Sequence, residues 1–132
     1  MFLCVLCGLR GSPVGDDLTV NEVASSLRRR KCIPCEGGTQ PLTDAQIQPL
    51  LKGVPGWVLE NGGIARTFRF RNYHETMAFV NATAWISHRE DHHPDLQVGY
   101  NQCKVSYVTH ALQGLSGNDF ICAAKVDALL EP

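Results

Sequence analysis

The sequence predicts an α+β fold, a four-stranded antiparallel sheet with helices packed on one face, in the order α-β-β-α-β-β-α. Two observations carry this. Two pairs of short segments alternate apolar and polar residues around turn signals, as β-hairpins do. Three other segments carry helix caps and an apolar repeat of helical period, and they flank and separate those hairpins.

The first helix starts at Thr43, where Gln46 completes a capping box and Leu42 and Ile47 occupy the staple positions. Ile47, Leu50, Leu51 and Val54 repeat at i, i+3, i+4 and i+7, and Pro55-Gly56 ends the run. Trp57 to Glu60 reads as a strand, Asn61-Gly62-Gly63 as its turn, and Ile64 to Phe70 as the returning strand. In that strand Phe68 and Phe70 face one way, Thr67 and Arg69 the other. Asn72 with Glu75 opens the second helix, whose apolar face is read as Tyr73, Met77, Val80 and Ala84, widened by Trp85. Pro94 disfavours helical geometry at His93, so this helix ends near Asp91. Leu96, Val98 and Tyr100 alternate, a turn at Asn101-Gln102 follows, and Cys103, Val105, Tyr107 and Thr109 alternate again. Ser116 and Asp119 cap a last helix running to about Leu130, with Leu115 and Phe120 as its staple. Trp57 and Trp85 are expected in the core, and His74 on the surface.

The chain has 132 residues, 44% hydrophobic and 19% charged, with net charge −1. That fits one globular domain and gives no field to steer the protein to nucleic acid or to an anionic membrane. No apolar run approaches the roughly 20 residues that span a bilayer. Residues 1–40 read as a poorly ordered or loosely packed extension and 41–132 as the folded domain. Met1–Leu9 is apolar but is followed by Arg10 and lacks a small-residue cleavage site, so it reads as an extension and not as a secretory signal. Within the extension, Val20–Leu27 has the look of a short helix, Arg28–Lys31 of a solvated charge patch, and Glu36-Gly37-Gly38 breaks any pattern. Four of the six cysteines, Cys4, Cys7, Cys32 and Cys35, lie in it and read as solvated thiols, while Cys103 and Cys122 suit small buried hydrophobes. Reduced thiols and a cytoplasmic protein are expected. The uncovered face of the sheet calls for a second subunit, so a homo-oligomer, dimer or tetramer, is expected.

The chemistry concentrates in His88-Arg89-Glu90-Asp91-His92-His93-Pro94 and in Thr109-His110. If the strand ending at His110 pairs beside the one starting at Asp95, the outer ends of that hairpin meet and His110 returns beside His92 and His93. Imidazoles titrate near neutrality, and a cluster of them suits proton transfer.

The run Asp91-His92-His93-Pro94, then Tyr100-Asn101, Thr109-His110, Gly114-Leu115-Ser116 and Asp119 resembles the pterin-4a-carbinolamine dehydratase family. The resemblance covers residues 42–130 and includes Gly56-Trp57 and Phe68-Arg69-Phe70. It implies loss of water from a 4a-hydroxytetrahydropterin to give the quinonoid dihydropterin, in tetrahydrobiopterin recycling beside a pterin-dependent aromatic amino acid hydroxylase. The catalytic residues it implies are His92, His93 and His110. The binding stretches it implies are Asp91, His92, His93 and Pro94, and Val108, Thr109, His110 and Ala111. His92 and His110 are the expected acid/base pair, His93 the residue that binds and orients the pterin, and Asp91 a candidate to orient a histidine. His88 stands where many members carry a carboxylate, and Ala111 where some carry an acid. No cofactor and no metal is expected.

Two other readings compete. Family members also act as dimerisation partners of a transcription factor, which would make this chain a binding module. His88 and His92 have i, i+4 spacing and, with Glu90 or Asp91, form a candidate zinc site, while Cys32-x-x-Cys35 is half of a zinc ribbon. Both metal readings leave His110 and the downstream pattern unused.

Overall fold

The computed structural model describes residues 18–35 and 39–132. The readings of Met1–Leu9, Arg10, Cys4, Cys7 and Glu36-Gly37-Gly38 lie outside the described residues.

In chain order the elements are α1 (Val20–Arg29), α2 (Asp44–Leu51), β1 (Val58–Glu60), β2 (Gly63–Arg69), α3 (Tyr73–Glu90), β3 (Asp95–Val98), β4 (Gln102–Tyr107), a 3-10 turn (His110–Leu112) and α4 (Gly117–Ala128). The strands form one antiparallel sheet in the order β1-β2-β4-β3. The fold class is therefore the expected one, and the cap residues explain the boundaries. Thr43 accepts from Gln46 N while Gln46 reaches back to the Thr43 N–H. Asn72 Oδ1 accepts from Glu75 N at 2.9 Å. Asn61 and Gly62, both at positive φ (51° and 78°), make the two-residue turn between β1 and β2.

One sheet face carries Ile64, Phe68, Cys103, Val105 and Tyr107, all buried. Phe68 packs on Phe79 of α3 (centroids 4.7 Å apart), and Trp57 bridges Phe68 and Tyr107 at 6.0 and 5.8 Å. Phe120, Ile121 and Val126 of α4 complete the core. Trp57 Nε1 and the Arg66 guanidinium both donate to Asp127 Oδ1 at 2.9 Å, which satisfies a carboxylate placed under the sheet edge. Thr67, Lys104 and Ser106 lie on the opposite face, where Lys104 pairs with Glu60 of the edge strand at 2.7 Å.

Three expectations differ from the structure. The buried face of α3 is Thr76, Phe79 and Thr83, whereas Tyr73 is 49% and Trp85 60% exposed. Threonine is easily read as polar surface, but the Thr76 hydroxyl lies 2.9 Å from both Asn72 O and Tyr100 O, so its polar group is satisfied where it is buried. Residues 20–35 pack against the domain. α1 lies on α4, Leu27 sits in the central core, and Arg28 pairs with Glu131. Finally, β4 ends at Tyr107, and His110 opens a 3-10 turn beyond it. Thr109 bridges Gly114 across that turn.

Candidate active site

α3 stops because Asp91 adopts a left-handed conformation (φ 51°), a C-cap geometry that aspartate tolerates better than most side chains. The chain reverses, and Pro94 leads into β3. On the other side of the sheet edge, β4 runs antiparallel to β3, with Asp95 opposite Ser106. This register carries the residues just before β3 and just after β4 to the same end of the hairpin. Tyr100, at the hairpin's turn, lies at the other end.

A cleft of about 420 Å³ opens there, within the size range of small-molecule sites. His92, His93 and His110 all line it, with Asp91 beside them and Val108, Thr109 and Ala111 forming the strand side. Pro94 is not among the lining residues. His93 and His110 are exposed, whereas the His92 side chain is only 13% exposed.

His92 is held on two sides. Its ring stacks on Tyr107 (centroids 5.7 Å, interplanar angle 11°). Its Nε2 lies 2.6 Å from Oδ1 of Asp119, a fully buried carboxylate. Asp119 Oδ2 accepts from Thr109 Oγ1 at 2.8 Å and from Ser116 N at 2.9 Å, and the Ser116 hydroxyl bonds Thr109 Oγ1 at 2.7 Å. Both carboxylate oxygens are acceptors, so His92 Nε2 carries the proton and donates it. That fixes the tautomer and leaves Nδ1 as the free nitrogen.

The partner of His92 is Asp119, whereas the Asp91 side chain makes no hydrogen bond or ion pair among the described residues. In the sequence Asp119 is legible as a helix cap and as one residue of the family pattern, with no link to His92. Its second role needs a contact across 27 residues of sequence.

The opposite wall comes from residues 31–35, which the sequence predicts to lie in the N-terminal extension. Lys31 to Cys35 form a strap across the cleft. Lys31 Nζ donates to Arg89 O at 2.7 Å, and Cys32 N donates to Glu90 Oε2 at 2.8 Å. Ile33 and the Asn118 amide exchange two hydrogen bonds, 3.0 and 2.6 Å. Burial pushes the Glu90 carboxyl up, but the Cys32 N–H and the Lys125 ammonium outweigh it and hold the group below its ordinary value of 4.5. The Thr19-x-x-Glu22 capping box and the Val20, Val23, Ala24, Leu27 spacing were the available signals for this region. Cys32 and Cys35 are correspondingly part-buried, not solvated, and Arg28 and Lys31 are tied down.

Among the described residues, no group of three or more His, Cys, Asp or Glu side chains is arranged to hold a metal ion. His88 instead stacks near Trp85 on the outer side of α3, at 5.4 Å. No helix among the described residues is long and apolar enough to cross a membrane.

Comparison with known proteins gives relatives for most of the described chain. Residues 40–129 match a family model described as pterin 4 alpha carbinolamine dehydratase. A protein of Nitrosomonas eutropha, "Putative pterin-4-alpha-carbinolamine dehydratase", is 64% identical over 105 residues, covering 79% of this chain and 93% of that protein. A protein of the same name from Nitrosospira multiformis is 53% identical over 115 residues, covering 87% and 98%. Among solved structures, a Brucella melitensis protein described as a transcriptional coactivator/pterin dehydratase superposes with a TM-score of 0.66 at 28% identity, covering 70% of this chain and all of that one.

Proposed function

This chain belongs to the pterin-4a-carbinolamine dehydratase family, and from that premise we propose that it removes water from a 4a-hydroxytetrahydropterin, using His92 and His110 as the acid/base pair. The observation that carries the proposal is the His92 ring, fixed by Asp119 and Tyr107 in a cleft that His93 and His110 also line.

The reaction breaks the C4a–O bond, forms the C4a–N5 double bond and takes the proton from N5. In this reading His92 Nδ1 takes the N5 proton, because the Asp119 carboxylate behind Nε2 stabilises the positive charge that forms on the ring. His110, which also lines the cleft, delivers a proton to the departing hydroxyl, which leaves as water. His93 binds and orients the pterin, with Asp91, Val108, Thr109 and Ala111 as the surrounding binding residues. The chemistry needs no cofactor. Its biological setting is tetrahydrobiopterin recycling in the cytoplasm, beside a pterin-dependent aromatic amino acid hydroxylase. A homo-oligomer is part of the proposal, and the sheet face that carries Thr67, Lys104 and Ser106 is the surface a second subunit would cover.

The test uses carbinolamine generated by a pterin-dependent hydroxylase. Purified protein is expected to accelerate its decay, and the His92→Ala, His110→Ala double variant to lose that acceleration. Equal rates for the two proteins would remove the assignment.

A further inference from the structure

Cys32 and Cys122 come from opposite ends of the chain, 90 residues apart, yet their sulfurs lie 3.5 Å from each other. Cys122 is fully buried on α4, one turn beyond Asp119, and Cys32 is the part-buried residue where the strap dips onto the core. The Cys32 sulfur also lies 3.7 Å from Asn118 O. Cys35 is turned elsewhere, with its sulfur 3.9 Å from Ile33 O and 3.5 Å from the Asn118 amide nitrogen. Neither the helix nor the sheet needs a thiol at Cys32. Its backbone N–H already anchors the strap to Glu90.

A bonded pair of sulfurs lies about 2.0 Å apart, so closure asks for roughly 1.5 Å of approach. The strap can supply it, because residues 30–35 belong to no helix or strand.

We propose that Cys32 and Cys122 form an oxidisable dithiol, a modification site that reacts with low-molecular-weight disulfides and closes to an internal disulfide pinning the cleft wall to α4. The Cys32 thiolate, the more accessible partner, attacks one sulfur of the small disulfide, breaks its S–S bond and releases one thiol. The Cys122 sulfur then attacks Cys32 Sγ in the mixed disulfide, forms the internal bond and releases the second thiol. The two protein thiols lose two electrons and two protons, and the small disulfide gains both. Cys122 lies under the same α4 turn that holds Asp119, so the bond ties the strap to the element that positions His92.

The test takes the reduced full-length chain, treats it with excess glutathione disulfide, blocks remaining thiols by alkylation and maps the digest by mass spectrometry. The expected product is a peptide joining Cys32 to Cys122, accompanied by a rise in Tm of about 5–10 °C from cross-linking so long a loop. Cys32→Ser should abolish both, and Cys35→Ser should leave both. Cys32→Ser is preferred to Cys122→Ser because the latter buries a hydroxyl in the core. A Cys32–Cys35 link, stable glutathione adducts without a cross-link, or unreacted thiols would each overturn the proposal. None of these readouts involves dehydration, so their failure leaves the proposed function standing, and loss of dehydratase activity leaves the thiol site standing.

Discussion

Replacing Asp119 by asparagine tests how His92 is positioned. The native carboxylate accepts three hydrogen bonds, two at Oδ2 from Thr109 and Ser116 and one at Oδ1 from His92. Asparagine has one acceptor oxygen and one donor group. With its oxygen towards Thr109 and Ser116 it keeps two bonds, and its amide then faces His92 Nε2. With its oxygen towards His92 it confronts two buried donors with a third. Each orphaned buried donor costs about 1–3 kcal/mol, so the first orientation wins. In that orientation His92 relieves the clash by moving its proton to Nδ1. The stability loss is then about 1.5–3 kcal/mol, the worth of the charge-assisted bonds. The catalytic loss is larger. The nitrogen proposed to take the N5 proton is now occupied, and general acid/base catalysis contributes about 100- to 10,000-fold. Two assays separate these effects: the rate of carbinolamine dehydration, and the ¹⁵N spectrum of the His92 ring, which distinguishes its tautomers. A folded Asp119→Asn protein that keeps Nε2–H, or that dehydrates within about threefold of wild type, would refute the reasoning.

Further predictions address the neighbouring contacts. Tyr107→Phe should change stability by less than about 1 kcal/mol in urea unfolding, because the buried hydroxyl has no hydrogen-bond partner of good geometry among the described residues and removing it orphans nothing there. Tyr107→Ala should cost about 3–5 kcal/mol and release the His92 ring that stacks on it. Leu27→Ala should cost about 2–5 kcal/mol, because Leu27 is fully buried in the core. A value near zero would mean that α1 does not belong to the cooperative unit. The Glu90 carboxyl is depressed on folding, so its contribution is present above pH 4.5 and lost as pH falls through the folded value. Melting curves across about pH 3–6 should therefore show an acid-side decline in wild type that is shallower in Glu90→Gln.

Much of the fold was legible locally. The caps at Thr43 and Asn72 and the Asn61-Gly62 turn each act over four residues or fewer and sit where expected, and the alternation in β2 and β4 holds up to Tyr107. The candidate site was half legible. The doublet before Pro94 and the hairpin return of His110 follow from strand pairing, which alternation and turn residues specify. Helix faces were less secure. Phe79 lies under the sheet between two threonines while Trp85 is exposed, because the docking surface decides which side is buried.

The sequence alone determined the order of elements and the end of the hairpin where imidazoles gather, since capping, turn chemistry and pleat periodicity are properties of neighbouring residues. Only the tertiary structure decided what each imidazole and thiol meets. Asp119 behind His92, the strap over the cleft and Cys32 against Cys122 join residues 27 to 90 positions apart. Such contacts are fixed by how α1 packs on α4 and how α4 joins the core, and no local pattern carries that information.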